Sequence, residues 1–218
     1  MAKVNEYFFD SMIRISKPLL YFPLHYNIQM KGMENLPKGK AILAANHTSY
    51  LDPVFMITGT GKKIYYLSKH FVAGVKYNHV SPFSLFMGGM GHILLEQENF
   101  ETRHLKKILA LLKKEKYFGI FPEGTRTYDG KIQEFKEGLA EISFLSKAPV
   151  VPIALKGCYK IWPRENILPK LYGNVEIIIG KPIPAPENKS EVKTLSGIVK
   201  QEMERLYYSE LANKQPIK

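Results

Sequence analysis

The sequence predicts a three-layer α/β domain, a central sheet flanked by helices. Three observations carry this. From residue 26 onward, short β-rich runs alternate with helical patterns. At 218 residues, 45% hydrophobic and 12% aromatic, the chain can bury a sizeable core in one domain. No internal repeat, low-complexity tract or linker breaks that run, so residues 26–218 read as one unit preceded by a distinct segment, 1–25.

In that first segment, "VNEYFFDSMIRISK" places Phe8, Met12 and Ile15 on one helical stripe with Phe9 and Ile13 beside it, and Pro18 ends the turn. Two readings fit: a helix packed on the domain's own core, or an amphipathic anchor lying in a bilayer surface. The second is the expectation here, because "PLLYFPLHY" continues the apolar and aromatic character. Glu6, Asp10, Arg14 and Lys17 interrupt the stretch, so it reads neither as a cleaved leader nor as a spanning helix. A peripheral or monotopic protein on the cytoplasmic face of a membrane is expected.

The elements follow in order. "NIQMKGM" and "KAILAAN" read as strands, "SYLDPVFMITG" as a helix, "KIYYLS" as a strand, "SPFSLFMGGM" as a short helix and "GHILLE" as a strand. A helix over residues 100–116 turns Leu105, Ile108, Leu109 and Leu112 inward, while Lys106, Lys107, Lys113, Lys114 and Lys116 form a solvated face or a docking site. "YFGIFP" reads as a strand ending in a loop, "GLAEISFLSK" as a helix, and "PVVPIAL" and "GNVEIIIG" as strands. A helix over about residues 190–211 closes the chain.

Charge narrows the partners. The net charge of +11 implies an anionic one: nucleic acid, an acidic membrane surface, a phosphorylated substrate or an acidic carrier protein. The excess is nearly all lysine; the five arginines are Arg14, Arg103, Arg126, Arg164 and Arg205, so forked phosphate contacts must be few. The lysines are spread along the chain with no ribonucleoprotein block or helix-turn-helix signal, which argues against nucleic acid. A single cysteine, Cys158, excludes an intramolecular disulfide framework and a thiolate-rich metal site.

Two stretches offer chemistry. In "NHTSYLDP", Ser49 as a helix N-cap with Asp52 three residues on is a capping-box-like arrangement needing no catalysis. His47 is left unexplained by it. With His47 in the loop before the helix, Asp52 can reach back to its Nδ1 and leave Nε2 as a base; on a continuous helix the two would point about 140° apart. The second stretch, "FGIFPEGTRTYDG", follows a buried strand with Glu123, Gly124, Thr125 and Arg126 at a strand's carboxyl end, where α/β sheets place ligands. Gly124 lets the backbone approach a ligand, Arg126 offers a planar fork to phosphate, and Glu123 can hold a hydroxyl. The bland alternative is a surface turn.

Taken together these stretches resemble the glycerolipid acyltransferases, a family best known from 1-acylglycerol-3-phosphate (lysophosphatidic acid) acyltransferase. His47 and Asp52 resemble its N-H-x-x-x-x-D block, and "FPEGTRT" with the following "FKEG", Phe135 to Gly138, its F-P-E-G-T-R block. "VVPIAL", residues 150–155, is similar to its fourth block, and "KGMENLPKG", residues 31–39, to its approach to the domain. The resemblance runs in order from about residue 28 to 182 and implies a glycerol-3-phosphate-acyltransferase-like fold with a mixed central sheet.

It also implies a reaction: transfer of a fatty acyl chain from acyl-CoA or acyl-carrier protein to the hydroxyl of a lysophospholipid, expected to be the sn-2 hydroxyl of 1-acylglycerol 3-phosphate. His47 would be the general base and Asp52 its orienting partner, with no cofactor and no metal. Glu123, Gly124 and Thr125 would shape the acceptor site and Arg126 would engage its phosphate. One departure stands out. The family's second block usually carries an arginine where "GHILLEQ" has Gln97, so Lys69, Arg103 or another lysine would replace it, or the acceptor is another lysolipid or glycerol 3-phosphate. A serine hydrolase with His47 as base lacks the G-x-S-x-G elbow.

Overall fold

Five consecutive fully buried residues, Ala41–Ala45, form strand β2 at the centre of a seven-stranded sheet. The structure, a computed structural model, describes residues 11, 25–69, 71–72, 75–76, 92–95 and 101–209. The helix expected over residues 4–17 and the short helix over 81–90 lie outside the described residues.

In chain order the elements are β1 (Tyr26–Lys31), β2, α1 (Asp52–Thr60), β3 (Ile64–Lys69), the two-stranded ribbon β4 (Phe71–Val72) and β5 (Val75–Lys76), and β6 (His92–Leu95). There follow α2 (Thr102–Lys113), β7 (Tyr117–Ile120), α3 (Gly138–Ser146), β8 (Val150–Lys156), α4 (Cys158–Ile161), β9 (Gly173–Ile179) and α5 (Lys189–Tyr208). The sheet order is β1-β9-β8-β2-β7-β3-β6. Strands β8, β2, β7, β3 and β6 run parallel, whereas β9 is antiparallel to β8 and carries β1 parallel to itself, so the sheet is mixed.

The two-residue period of β2 builds the three layers. Ala41, Leu43 and Ala45 face the layer of α1, against Phe55, Met56 and Ile57, together with Ile153, Leu155, Val175 and Ile177 of neighbouring strands. Ile42 and Ala44 face the other layer, against Ile108 and Leu112 of α2, Leu139 and Ile142 of α3, and Leu195, Val199 and Met203 of α5. Each such aliphatic side chain removed from water contributes about 1.5–3 kcal/mol, so a strand filled on both faces is the anchor of the fold. Helix α2 turns His104 inward with Ile108 and Leu112, and its lysines 106, 107, 113 and 114 lie in solvent.

Strand β7 enters late in the chain yet lies between β2 and β3. The chain therefore leaves β2 toward β3 across the α1 face, and leaves β7 toward β8 across the α3 face. Divergence of two neighbouring parallel strands opens a crevice beyond their carboxyl ends. Those two ends carry the two stretches singled out in the sequence.

Candidate active site

Asn46 continues β2 by side chain: its Nδ2 donates to the Leu155 carbonyl at 2.9 Å, and its Oδ1 accepts from Leu155 N at 2.7 Å. The chain then turns at His47. Asp52 Oδ2 lies 2.9 Å from His47 Nδ1 and accepts from Thr48 N at 2.7 Å and Ser49 N at 2.8 Å. The expected Ser49 cap is corrected by this geometry. Helix α1 starts three residues later, with Leu51 at the N-cap position and no side-chain cap bond, while Ser49 Oγ accepts from Leu51 N at 3.2 Å. One carboxylate oxygen reaching back serves three donors, and hydrogen bonds to a charged acceptor are about twice as strong as neutral ones; a serine hydroxyl reaching forward would serve fewer.

The bond to a carboxylate places the proton on Nδ1 and leaves Nε2 with its lone pair when the ring is neutral. The His47 side chain is 22% exposed and that of Asp52 is fully buried, so the ring is partly open to solvent while the carboxylate that holds it is not. Beneath it the imidazole stacks on Phe121, ring centroids 4.1 Å apart at 15°, and Phe121 stacks on Tyr66 at 5.8 Å. Gly119 makes this stack possible, because a Cβ there would sit 2.2 Å from Tyr66 Cε1. Burial, then the field of Asp52, holds the Tyr66 hydroxyl well above its ordinary value. The buried Cys158 thiol is likewise raised, first by desolvation and then by Asp52.

The second stretch clamps the first through its backbone. Glu123 Oε1 accepts from His47 N at 2.6 Å, Glu123 Oε2 accepts from Gln133 N at 2.9 Å, and Thr127 N donates to the His47 carbonyl at 2.7 Å. His47 is thus held at both its N–H and its C=O by the loop after β7. Burial raises the Glu123 carboxyl above its ordinary range, opposed by those amide bonds and by His47. Gly124 takes φ +75 in the turn closed by its N–H to the Phe121 carbonyl at 3.0 Å, a conformation costly for other residues. The Lys136 side chain lies over it.

Arg126 lies with its guanidinium 3.3 Å from the centroid of Tyr50, and its Nη1 is buried with no hydrogen-bond partner among the described residues. Desolvation lowers its pKa, with Arg164 adding to the effect and Tyr50 opposing it. A buried donor without a partner is costly unless something fills the site. Thr125 Oγ1 accepts from Arg164 Nη1 at 2.9 Å, and Arg164 also donates to the Arg126 carbonyl at 3.3 Å.

The structure thus brings together His47, Asp52, Glu123, Gly124, Thr125 and Arg126. Arg103 stands apart from this description: at the start of α2 its guanidinium pairs with Glu101 at 2.9 Å. Gln97 and the side chain of Lys69 lie outside the described residues. Among the described residues no group of three His, Cys, Asp or Glu is placed to hold a metal ion. Sequence reading missed Phe121, Tyr50 and Arg164 as neighbours of the site. Phe121 and Tyr50 sat inside the quoted stretches and were open to notice. The scarcity of arginine was the one signal for Arg164, which lies 38 residues beyond Arg126.

Comparison with known proteins meets this geometry. The chloroplastic 1-acyl-sn-glycerol-3-phosphate acyltransferase LPAT1 of Arabidopsis thaliana is 35% identical over 162 residues, 72% of this chain and 44% of that protein. The 1-acyl-sn-glycerol-3-phosphate acyltransferase of Bacillus subtilis is 27% identical over 162 residues, 73% of this chain and 75% of that protein. The chain spans less than half the length of its chloroplast relatives. The crystal structure of the 1-acyl-sn-glycerophosphate (LPA) acyltransferase PlsC from Thermotoga maritima is similar with a TM-score of 0.76 at 24% identity, covering 100% of this chain and 84% of that one. That likeness supports the mixed α/β fold. The family model described as Acyltransferase matches residues 27–156, more than half the chain and a span holding both loops of the crevice, and on that match the chain belongs to the acyltransferase family.

Proposed function

We propose that this protein moves a fatty acyl chain from an acyl thioester, acyl-CoA or acyl-carrier protein, to the free hydroxyl of a lysophospholipid. The acceptor is the sn-2 hydroxyl of 1-acylglycerol 3-phosphate and the product phosphatidic acid. The observation that carries the reading is the partly exposed His47 imidazole, tied to buried Asp52 and clamped by the loop that also presents Arg126.

The chemistry follows from those positions. The acceptor hydroxyl gives its proton to His47 Nε2 as its oxygen attacks the thioester carbonyl carbon. Asp52 steadies the imidazolium that results. Collapse of the tetrahedral intermediate breaks the carbon–sulfur bond, and the departing thiolate takes the proton back from the ring. Glu123 contributes by position, since both its oxygens are occupied by backbone N–H groups. Arg126, whose Nη1 lacks a partner among the described residues, is the group to meet the acceptor phosphate. Relatives named as 1-acyl-sn-glycerol-3-phosphate acyltransferases support that acceptor.

In this reading residues 26–218 are the acyltransferase domain, and residues 1–25 associate with an anionic membrane at its cytoplasmic face. No helix among the described residues is long and apolar enough to cross a membrane. The deciding experiment offers the purified protein a panel of acyl thioesters and lysolipids, glycerol 3-phosphate included, and follows thiol release. Turnover with lysophosphatidate that is lost in His47→Ala is expected. Strong turnover with zwitterionic lysolipids alone would overturn the acceptor, an outcome that Gln97 in place of the family's arginine makes worth the test.

A further inference from the structure

Five large apolar or aromatic side chains crowd one edge of the molecule. Within the six residues 167–172, Ile167 is 90% exposed, Leu168 76%, Tyr172 68% and Leu171 61%. Exposed Tyr128, from the loop that carries Arg126, joins them through the Arg164 guanidinium stacked on its ring at 4.2 Å. The other large hydrophobics exposed among the described residues, Met33, Leu145, Ile198 and Tyr208, lie outside this segment, and Ile198 and Tyr208, which share α5, are ten positions apart. Scattered apolar side chains are ordinary on a soluble surface, whereas a contiguous group of this kind marks a surface that something covers.

The segment that bears them is tied down rather than loose. Trp162 Nε1 donates to the Asn166 carbonyl at 2.9 Å and Asn166 N to the Pro163 carbonyl at 3.2 Å, closing the outward limb. Lys170 N donates to the Ile161 carbonyl at 2.9 Å and the Tyr26 hydroxyl to the Lys170 carbonyl at 2.5 Å, closing the return. Ordering such a segment costs conformational entropy at every residue, and here the ordering presents isoleucine and leucine to water.

Its place in the fold gives it a direction. It joins the carboxyl end of β8 to the start of β9, and β8 runs parallel to β2 and β7, so it leaves the sheet at the same edge as the His47 and Glu123 loops. Trp162 packs on Tyr50 at 5.0 Å, and Tyr50 is the ring that carries Arg126.

We propose that residues 160–172 form a membrane-docking finger: Ile167, Leu168, Leu171 and Tyr172 enter the acyl region of an anionic bilayer and turn the mouth of the active site toward it. The charge on the finger selects this occupant. Lys160, Arg164 and Lys170 stand against the single acid Glu165, on a chain of net charge +11, which suits anionic lipid. A second copy of the chain docked symmetrically would set those cations against themselves. The inference rests on the proposed function only for the idea that the acceptor is an amphiphile arriving from a bilayer; docking itself is read without any acyl transfer.

The test uses the full chain with Ile167→Cys. Cys158, the sole native cysteine, is fully buried, so an environment-sensitive thiol dye labels position 167 alone. On vesicles of phosphatidylcholine with phosphatidylglycerol, the dye emission shifts to the blue and is quenched by lipids carrying a quencher in the acyl chain. Leu168→Asp with Leu171→Asp abolishes finger insertion and lowers vesicle partition about tenfold, while turnover of a short-chain lysolipid dispersed in water stays within about twofold. Three results would each overturn the proposal: a chain that floats with vesicles while the dye is unmoved, a dye already blue-shifted without lipid, and a shift that grows with protein concentration. The last two would hand the patch to residues 1–24 or to a second copy. Insertion by a chain that transfers no acyl group would remove the proposed function and leave the finger standing.

Discussion

The loop from Asn46 to Asp52 and the segment from Cys158 to Tyr172 leave neighbouring strands at one edge of the sheet, and they solve opposite problems. The first is closed on itself. Asp52 Oδ2 serves three donors, Glu123 and Thr127 hold the His47 backbone at both ends, and Asn46, Thr48, Ser49 and Asp52 are buried while the ring is partly exposed. The second keeps its backbone tied at the root and turns its apolar tips outward. Between them stand Tyr50, Arg126 and Arg164, joined by ring stacking and shared hydrogen bonds. On the two proposed roles, the difference teaches where precision and adaptability are needed: a proton-transfer group must hold its position within tenths of an ångström, whereas a surface that meets lipid needs area and charge.

If the first loop is the catalytic half, its ring carries the largest effect. His47→Ala should lower acyl transfer about a thousandfold, with far-UV circular dichroism and the melting transition little changed; turnover at the native rate would end the comparison at its root. Glu123→Ala comes next. It strands two backbone N–H groups at a buried site, at about 1–3 kcal/mol each, so the urea midpoint should fall along with activity. An activity loss with no loss of stability would mean that Glu123 meets substrate rather than backbone.

Arg126 tests the boundary between the regions. Arg126→Lys keeps the charge but loses the fork and the face that lies on Tyr50, so KM for the phosphate-bearing acceptor should rise about tenfold, with kcat changed less. An equal fall in kcat at unchanged KM would move Arg126 from binding into the reaction itself.

The smallest effect concerns pH. The Glu123 carboxyl is raised from an ordinary 4.5, chiefly by burial, so the folded protein holds this proton more tightly than the unfolded chain does. Its contribution is full below the ordinary value and is lost as pH rises through the raised one. The stability of the native protein relative to Glu123→Gln should therefore decline as pH climbs past 4.5 and level off above the raised value. Thermal melts of the two proteins across that range measure the difference, and a difference rising with pH would contradict the direction.

Local patterning was legible in the sequence because its causes are local. The unbroken apolar run "AILAA", the spacing of Leu195, Val199 and Met203, and the turn at Gly124 report on residues a few positions apart. The His47 and Asp52 pair was legible for the same reason: five positions with a loop between them fix a distance. The helix start misled, since Ser49 has the side chain of a cap and accepts from Leu51 N, yet the helix begins only at Asp52, whose carboxylate takes the amides of Thr48 and Ser49.

Sequence alone determined that strands and helices alternate, that His47 and Asp52 can meet, and that a loop with an acid, a glycine and an arginine ends a buried strand. Tertiary structure decided the rest: that β7 slips between β2 and β3, that β9 runs against β8, that Glu123 spends both oxygens on backbone and that Arg164 arrives beside Arg126. Strand order and long-range hydrogen bonds depend on which faces can be buried together across 38 to 76 positions of chain, and no window of neighbouring residues contains that information.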